Sequence, residues 1–234
     1  MTERRQLILN TIIKEHIRSA APVGSNILVE KYKLDISPAT VRNEMAALEE
    51  DGYIAQPHTS AGRIPTEKAY KQYIENFFGQ EKRQKLKAGK SEIKNIDETL
   101  GRKDEIDLKE TAKLLSHLTG NTVFWGFHRH NLYYTGISQL FAQPEFSRMQ
   151  FVFDISTVID RMDEIVDDIF EDLDSGVHIL IGSENPFGNF CSAIVSKYKL
   201  RQKDGVFGLL APMRMDYNKN LALIDHIYSQ LNHK

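Results

Sequence analysis

Ser37-Pro38 constrains the fold of this chain more than any other dipeptide in it. Serine is a preferred helix N-cap, and proline at the first helical position gives up an N–H that would have had no partner there. The residues that follow, Ala39 to Glu50, therefore form a helix with a defined start. Val41, Met45 and Leu48 fall on one face and anchor it to a core. Ala39, Thr40, Arg42, Asn43 and Ala46 project elsewhere. Small residues beside Thr, Arg and Asn suit a helix that lies against base edges, where Arg pairs with guanine and Asn with adenine. Taken alone, the segment fits an ordinary amphipathic surface helix equally well.

The flanking segments give it a context. Leu9, Ile12, Ile13, His16 and Ile17 recur at helical spacing and predict a first helix of about four turns, ended near Pro22 because the residue before a proline avoids the helical region. Gly24-Ser25 supply a turn and an N-cap for a short second helix over Asn26 to Tyr32. After the third helix, Asp51-Gly52 stop it, Tyr53 to Gln56 read as a strand, and His58-Thr59-Ser60-Ala61-Gly62 make a polar turn. Arg63-Ile64 return before Pro65. Three helices followed by a hairpin is the winged-helix order. In it the third helix enters the major groove and the hairpin lies over the backbone or minor groove. A wing that only packs against protein is the alternative.

Charge is distributed to match. Residues 1–90 carry 15 Lys/Arg against 11 Asp/Glu, a balance of +4, whereas residues 91–234 carry 15 against 21, a balance of -6, within a net charge of -2. A basic first part suits a polyanionic partner, since phosphate contacts come mostly from Lys and Arg. With 41% hydrophobic and 26% charged residues the composition is globular. No apolar run is long enough to span a bilayer and no signal-peptide core follows Met1, so a soluble cytoplasmic protein is expected. The single cysteine, Cys191, excludes an internal disulfide and a Cys-cluster zinc site.

Beyond the hairpin, Thr66 caps a helix with an aromatic stripe of Tyr70, Tyr73, Ile74, Phe77 and Phe78, which suits core or a dimer seam. The charged stretch from Gly79 to Arg102, with five Lys/Arg between Lys82 and Lys90, reads as a linker, partly helical at most. Leu108, Ala112, Leu115 and Leu118 mark a helix ending at Gly120. Strands are expected at Thr122–Phe127, Leu132–Ile137, Val177–Ile181, Ala193–Tyr198 and Val206–Ala211. Ile155, Ile159, Met162, Val166, Ile169 and Leu173 predict one long helix with an acidic outer face, and Tyr217 to Leu231 a last one. Such interleaving implies an α+β domain with a mainly antiparallel sheet.

Several segments carry a resemblance. Pro22-Val23-Gly24-Ser25, the Ser37–Met45 helix and above all Gly52-Tyr53-Ile54-Ala55-Gln56-Pro57-His58-Thr59-Ser60-Ala61-Gly62-Arg63-Ile64-Pro65-Thr66 resemble the HrcA family of heat-inducible transcription repressors. So do Leu114 to Gly120, Gln143-Pro144-Glu145-Phe146, Ile181 to Pro186 and Ala211 to Tyr217, in a GAF-like domain. The resemblance implies a repressor that binds double-stranded DNA, an inverted-repeat operator called CIRCE upstream of chaperone genes, as a homodimer, with the GroE chaperonin as a further partner. Family members carry a long inserted dimerisation domain where this chain has only Phe127 to Leu140, so dimer contacts must come from the helix after Thr66 or from the C-terminal domain. The expected organisation is a winged-helix domain at 1–78, a helical linker at 79–103 and a GAF-like α+β domain at 104–234.

Arg42, Asn43 and Thr40, beside Ala39, are the expected base-reading residues, and Ser37, His58, Thr59, Ser60 and Arg63 the expected phosphate or minor-groove contacts. Glu184, Asn185, Arg214, Asp216 and Tyr217 form a candidate ligand pocket, which would make the chain a ligand-sensing regulator; the competing reading pairs Glu184 with Arg214 to lock strand ends. His128 and His130 in a turn lack further ligands at metal spacing. The helix carboxylates read as solvated surface, and Cys191 reads as a buried thiol. Gly-x-Gly-x-x-Gly, Walker and Gly-x-Ser-x-Gly motifs are absent, so no enzyme, cofactor or metal site is expected.

Overall fold

A computed structural model describes residues 1–33, 35–59, 61–78, 86, 88–147 and 149–232, apart from the side chains of Phe77, Phe78, Gln150 and Glu184. The chain divides into two compact units, Met1–Lys82 and Arg83–Lys234.

In the first unit, α1 (Glu3–Ser19), α2 (Ser25–Tyr32) and α3 (Pro38–Glu50) are followed by β1 (Ile54–Ala55), β2 (Ile64–Pro65) and α4 (Glu67–Phe78). This is a winged helix. α1 starts at an N-cap Thr2 and ends at Ala20, whose left-handed φ of 54° lets its N–H reach the His16 carbonyl. The N-cap of α2 is Gly24 rather than Ser25, so no side chain caps the helix. The expected strand at Tyr53–Gln56 contracts to two residues, paired antiparallel as Ile54 with Pro65 and Ala55 with Ile64. Ile8, Leu9, Ile12, Ile13, Leu28, Val41, Leu48 and Ile54 fill the core. Tyr70 and Tyr73 of the aromatic stripe are buried in it too; Phe77 and Phe78 lie outside the described side chains.

In the second unit five strands form one antiparallel sheet in the order β4-β3-β7-β6-β5. They are β3 (Thr122–His128), β4 (Asn131–Thr135), β5 (Gly176–Ile181), β6 (Cys191–Leu200) and β7 (Lys203–Pro212). This is the GAF-like α+β arrangement. α10 (Tyr217–Asn232) packs over β6 and β5, and α5 (Lys90–Leu100) and α6 (Glu105–Thr119) pack against α10. One apolar cluster joins Phe124, Cys191, Ala193, Val195, Val206 and Leu210 of the strands to Leu140 of α7 (Ile137–Phe141), Ile155 of α8 (Met149–Asp160) and Val166 and Ile169 of α9 (Met162–Asp172).

Two expectations are corrected, and the helical part of the expected linker is located. Residues 90–100 are α5, in which Ile96 and Leu100 stand at helical spacing and are buried. Gly89 precedes it and Glu92 accepts the Gly89 N–H at 2.9 Å. The four linker cations before Lys90 lie outside the described residues. The single long helix is α8 and α9, broken at Arg161 with φ -108° and ψ 15°. No proline or glycine causes the break; Met162, Ile165, Val166 and Ile169 bury one face of α9, while α8 buries Ile155. Ile137, assigned to a strand, instead starts α7.

Glu15 is the buried polar anchor of the first unit. Its side chain, 5% exposed, receives Arg18 at 2.7 Å, Lys31 at 2.5 Å and the Tyr32 hydroxyl at 2.8 Å, tying α1 to α2. The Arg18 hydrogen bond, helped by Lys31 and Tyr32 against the opposing effect of burial, holds the carboxyl at about 2 instead of 4.5. Because the folded-state value is depressed, the stabilisation is present above the unfolded value of 4.5 and is lost as pH falls toward 2. Replacing Glu15 by Gln is expected to lower stability by about 2 kcal/mol at pH 7. Urea unfolding at pH 7 and pH 3 checks this, and the gap between variant and parent should shrink at the lower pH.

Candidate nucleic-acid interface

α3 is built from its first residue. The Ser37 Oγ accepts the Thr40 N–H at 3.1 Å and lies 2.9 Å from the Thr40 hydroxyl, so both hydroxyls are committed to the cap. Val41, Met45 and Leu48 are buried, as their spacing requires. On the opposite side Ala39, Arg42, Asn43 and Ala46 are exposed. Arg42 and Asn43 make no intramolecular side-chain hydrogen bond or ion pair among the described residues. The structure therefore leaves a guanidinium and an amide on one face, between alanines that let that face approach a partner closely.

Two acidic groups of α3 are paired with arginines, while Glu50, one turn beyond Ala46 on the same face, is exposed. Glu44, 19% exposed, receives the Arg5 Nε at 2.9 Å, with Arg4 at 3.7 Å. Glu49 receives both the Nε and a terminal nitrogen of Arg63 at 2.8 Å. Arg63, expected as a phosphate or minor-groove contact, is thus held by an acid of α3, and its guanidinium does not project freely.

The wing is fastened by backbone as well. Val23 and Arg63 exchange N–H···O bonds of 2.8 and 2.9 Å. A Cβ on Gly62 would stand 2.5 Å from the Val23 carbonyl carbon and oxygen, so only glycine permits this approach. At the wing tip the Ala61 N–H reaches the His58 carbonyl, and the Gln56 amide donates to the Thr59 and Ala61 carbonyls at 3.0 Å each. His58 and Thr59 are exposed there; Ser60 lies outside the described residues. The Thr66 hydroxyl donates to the Gly52 and Tyr53 carbonyls, closing the hairpin's base. Sequence reasoning missed Val23, Gln56 and Glu49. Their roles depend on long-range partners or on turn closure, and only the turn residues around Gly62 hinted at them.

Of the candidate pocket residues of the second unit, the four with described side chains bond to their own chain. Asn185 is buried, its amide donates to the Gly188 and Cys191 carbonyls at 3.1 and 3.0 Å, and its oxygen accepts the Phe187 N–H. Arg214 pairs with Glu145 and donates to Gln143 at 2.7 Å. Glu145 is thus a carboxylate partner of Arg214; the expected pairing with Glu184 involves a side chain outside the described ones. The Asp216 carboxylate accepts the Lys219 N–H, and the buried Tyr217 hydroxyl donates to the Met213 carbonyl at 2.7 Å, 3.1 Å from the Ser192 hydroxyl. Cys191 is buried, which pushes its thiol up to about 12. His130 pairs with Asp167 at 2.6 Å. Among the described residues no group of three His, Cys, Asp or Glu could hold a metal ion, and no helix is long and apolar enough to cross a membrane.

Comparison with known proteins brings both units together. A family model described as "HrcA protein C terminal domain" matches residues 81–221. The heat-inducible transcription repressor HrcA of Pelotomaculum thermopropionicum is 46% identical over 123 residues, 52% of this chain and 34% of that protein. That of Natranaerobius thermophilus is 26% identical over 336 positions, 97% of this chain and 95% of its own length. The chain thus spans about a third of the first relative, and against the second its 234 residues are aligned through gaps. A crystal structure described as that of a hypothetical protein shares the fold, with a TM-score of 0.79 and 18% identity over 99% of this chain and 97% of that one.

Replacing Gly62 by Ala is expected to separate the Val23–Arg63 backbone pair and cost about 1–3 kcal/mol, the range for a steric insertion into a packed site. Thermal unfolding measures the loss. An unchanged midpoint would show that the close approach at Val23 does not hold the wing.

Proposed function

The chain belongs to the HrcA family, and on that premise we propose that it is a cytoplasmic transcriptional repressor of heat-shock genes, binding an inverted-repeat operator of the CIRCE type as a dimer through its winged helix. One observation carries this reading: α3 presents Arg42 and Asn43, unpartnered among the described residues, between Ala39 and Ala46, while Glu44 and Glu49 are neutralised by arginines. Repulsion of a phosphate backbone is thereby reduced, and two side chains that suit guanine and adenine are available. Thr40 and Ser37 act by fixing the start of the helix, with His58 and Thr59 at the wing tip placed for backbone contacts. Ser60 keeps the same assignment from its position in the sequence.

Two copies on an inverted repeat match two half-sites. With Phe127 to Leu140 forming only a tight hairpin and its exit, the dimer contacts fall to α4 or to the second unit. The GroE chaperonin is a proposed further partner, by which shortage of chaperonin would weaken the repressor. The ligand-sensing alternative has no observation in its favour, because Asn185, Arg214, Asp216 and Tyr217 spend their polar atoms on their own chain.

Arg42→Ala and Asn43→Ala are each expected to cost about 1–3 kcal/mol of binding to an operator duplex and to relax base preference at one position in each half-site. Gel-shift titration against the operator and a scrambled duplex measures both. Unchanged operator affinity in Arg42→Ala would sink the assignment of α3 as the reading helix.

A further inference from the structure

The wing is too short to orient itself. β1 and β2 pair through two residues each, so its angle to α3 depends on what else grips it. Two grips converge on the same return strand: the Val23 backbone on one side of Arg63, and the Glu49 carboxylate on its guanidinium. Arg63 and Glu49 are 21% and 35% exposed, and two of the three guanidinium nitrogens, Nε and Nη2, close on one carboxylate oxygen. Glu49 sits in the last turn of α3, the helix that would lie in the groove. The pair therefore joins the reading helix directly to the wing.

We propose that Glu49 is a positioning residue for duplex DNA binding, acting through Arg63 to set the wing against α3, and that Arg63 is a strut of this arrangement and makes no phosphate contact. The proposal rests on the DNA-binding reading above. The arrangement carries an electrostatic signature that separates it from the alternatives. An acid beside a nucleic-acid surface ordinarily weakens binding, so neutralising it should tighten the complex. If Glu49 orients the wing, neutralising it should loosen the complex instead. Likewise, an arginine on a phosphate contributes to the slope of log affinity against log salt, whereas a strut does not.

The test uses the full chain and a duplex selected by the wild-type protein from a random pool. Affinity is titrated over a range of salt for wild type, Glu49→Gln, Arg63→Gln, Arg63→Lys and the double variant Glu49→Gln/Arg63→Gln. Glu49→Gln and Arg63→Gln should each bind about fivefold more weakly, the upper range for a part-exposed ion pair. Their salt slopes should match wild type, and the double variant should lose no more than either single one. Arg63→Lys, which keeps one charged contact, should recover part of the loss. Tighter binding by Glu49→Gln, or a salt slope reduced by about one in Arg63→Gln, would overturn the proposal. Thermal unfolding without DNA guards against collapse of Arg63→Gln; if that variant unfolds, Glu49→Gln and Arg63→Lys decide alone. Failure of the wild type to select any duplex would remove the DNA-binding reading itself, whereas wild-type binding left unchanged in Glu49→Gln would remove only this inference.

Discussion

A hairpin with two paired residues per strand cannot define its own direction, and the close approach of Gly62 to the Val23 backbone supplies what the strands lack. Val23 lies between α1 and α2, so the wing is tied to the segment that also sets where the second helix begins. The Val23–Arg63 bridge then brings the Arg63 side chain to Glu49 of α3. From that one steric allowance follow the wing's attachment, its link to α3, and the neutralisation of an acid near the exposed helical face. Glu15 performs a comparable task at the other end of α2, where three donors fix one buried carboxylate.

The second unit is held differently, by burying both faces of its sheet. Trp125 stacks on Phe207 at a centroid distance of 4.6 Å and donates its indole N–H to the Tyr198 hydroxyl, so even the largest buried side chain has its polar atom satisfied. Burial pushes that phenol up to about 12, which keeps it neutral over the working pH range. At the sheet's end, Arg214 draws Gln143 and Glu145 against the segment that leads into α10. Two stretches far apart in sequence, Gln143-Pro144-Glu145-Phe146 and Ala211 to Tyr217, are thus halves of one contact.

What was legible in the sequence was local. The start of α3 could be read from Ser37-Pro38 because a cap and a first-turn proline act within a few residues. The strands of the second unit could be read from β-branched and aromatic runs, and Gly120 from its place at a helix end, where it adopts a left-handed φ of 67°. What could not be read was tertiary. A sequence displays the charges of Arg63 and Arg214 but not the carboxylates of Glu49 and Glu145 that pair with them. The helical part of the linker could not be placed beforehand, because a high density of charge surrounds few apolar residues; Ile96 and Leu100 are buried in a helix that packs on α6 and α10. The break at Arg161 has no local cause at all, since helix periodicity continues through it.

The use of arginine in the first unit bears on how a DNA complex would be held. Arg42 is the only Lys or Arg within Pro38–Glu50, and Arg4, Arg5 and Arg63 are all turned toward the acids around it. A reading helix with one free cation gains little from non-specific attraction to phosphates, because that term grows with the number of contacts made. Discrimination then depends on the geometry of a few base contacts, and affinity on joining two such surfaces. When the span matches, a linked second site adds by effective concentration without any new contact. On the dimeric DNA-binding reading proposed above, such a repressor is expected to lose operator binding steeply when its copies separate. Control of assembly, more than occupation of a ligand pocket, would then be the efficient way to release it.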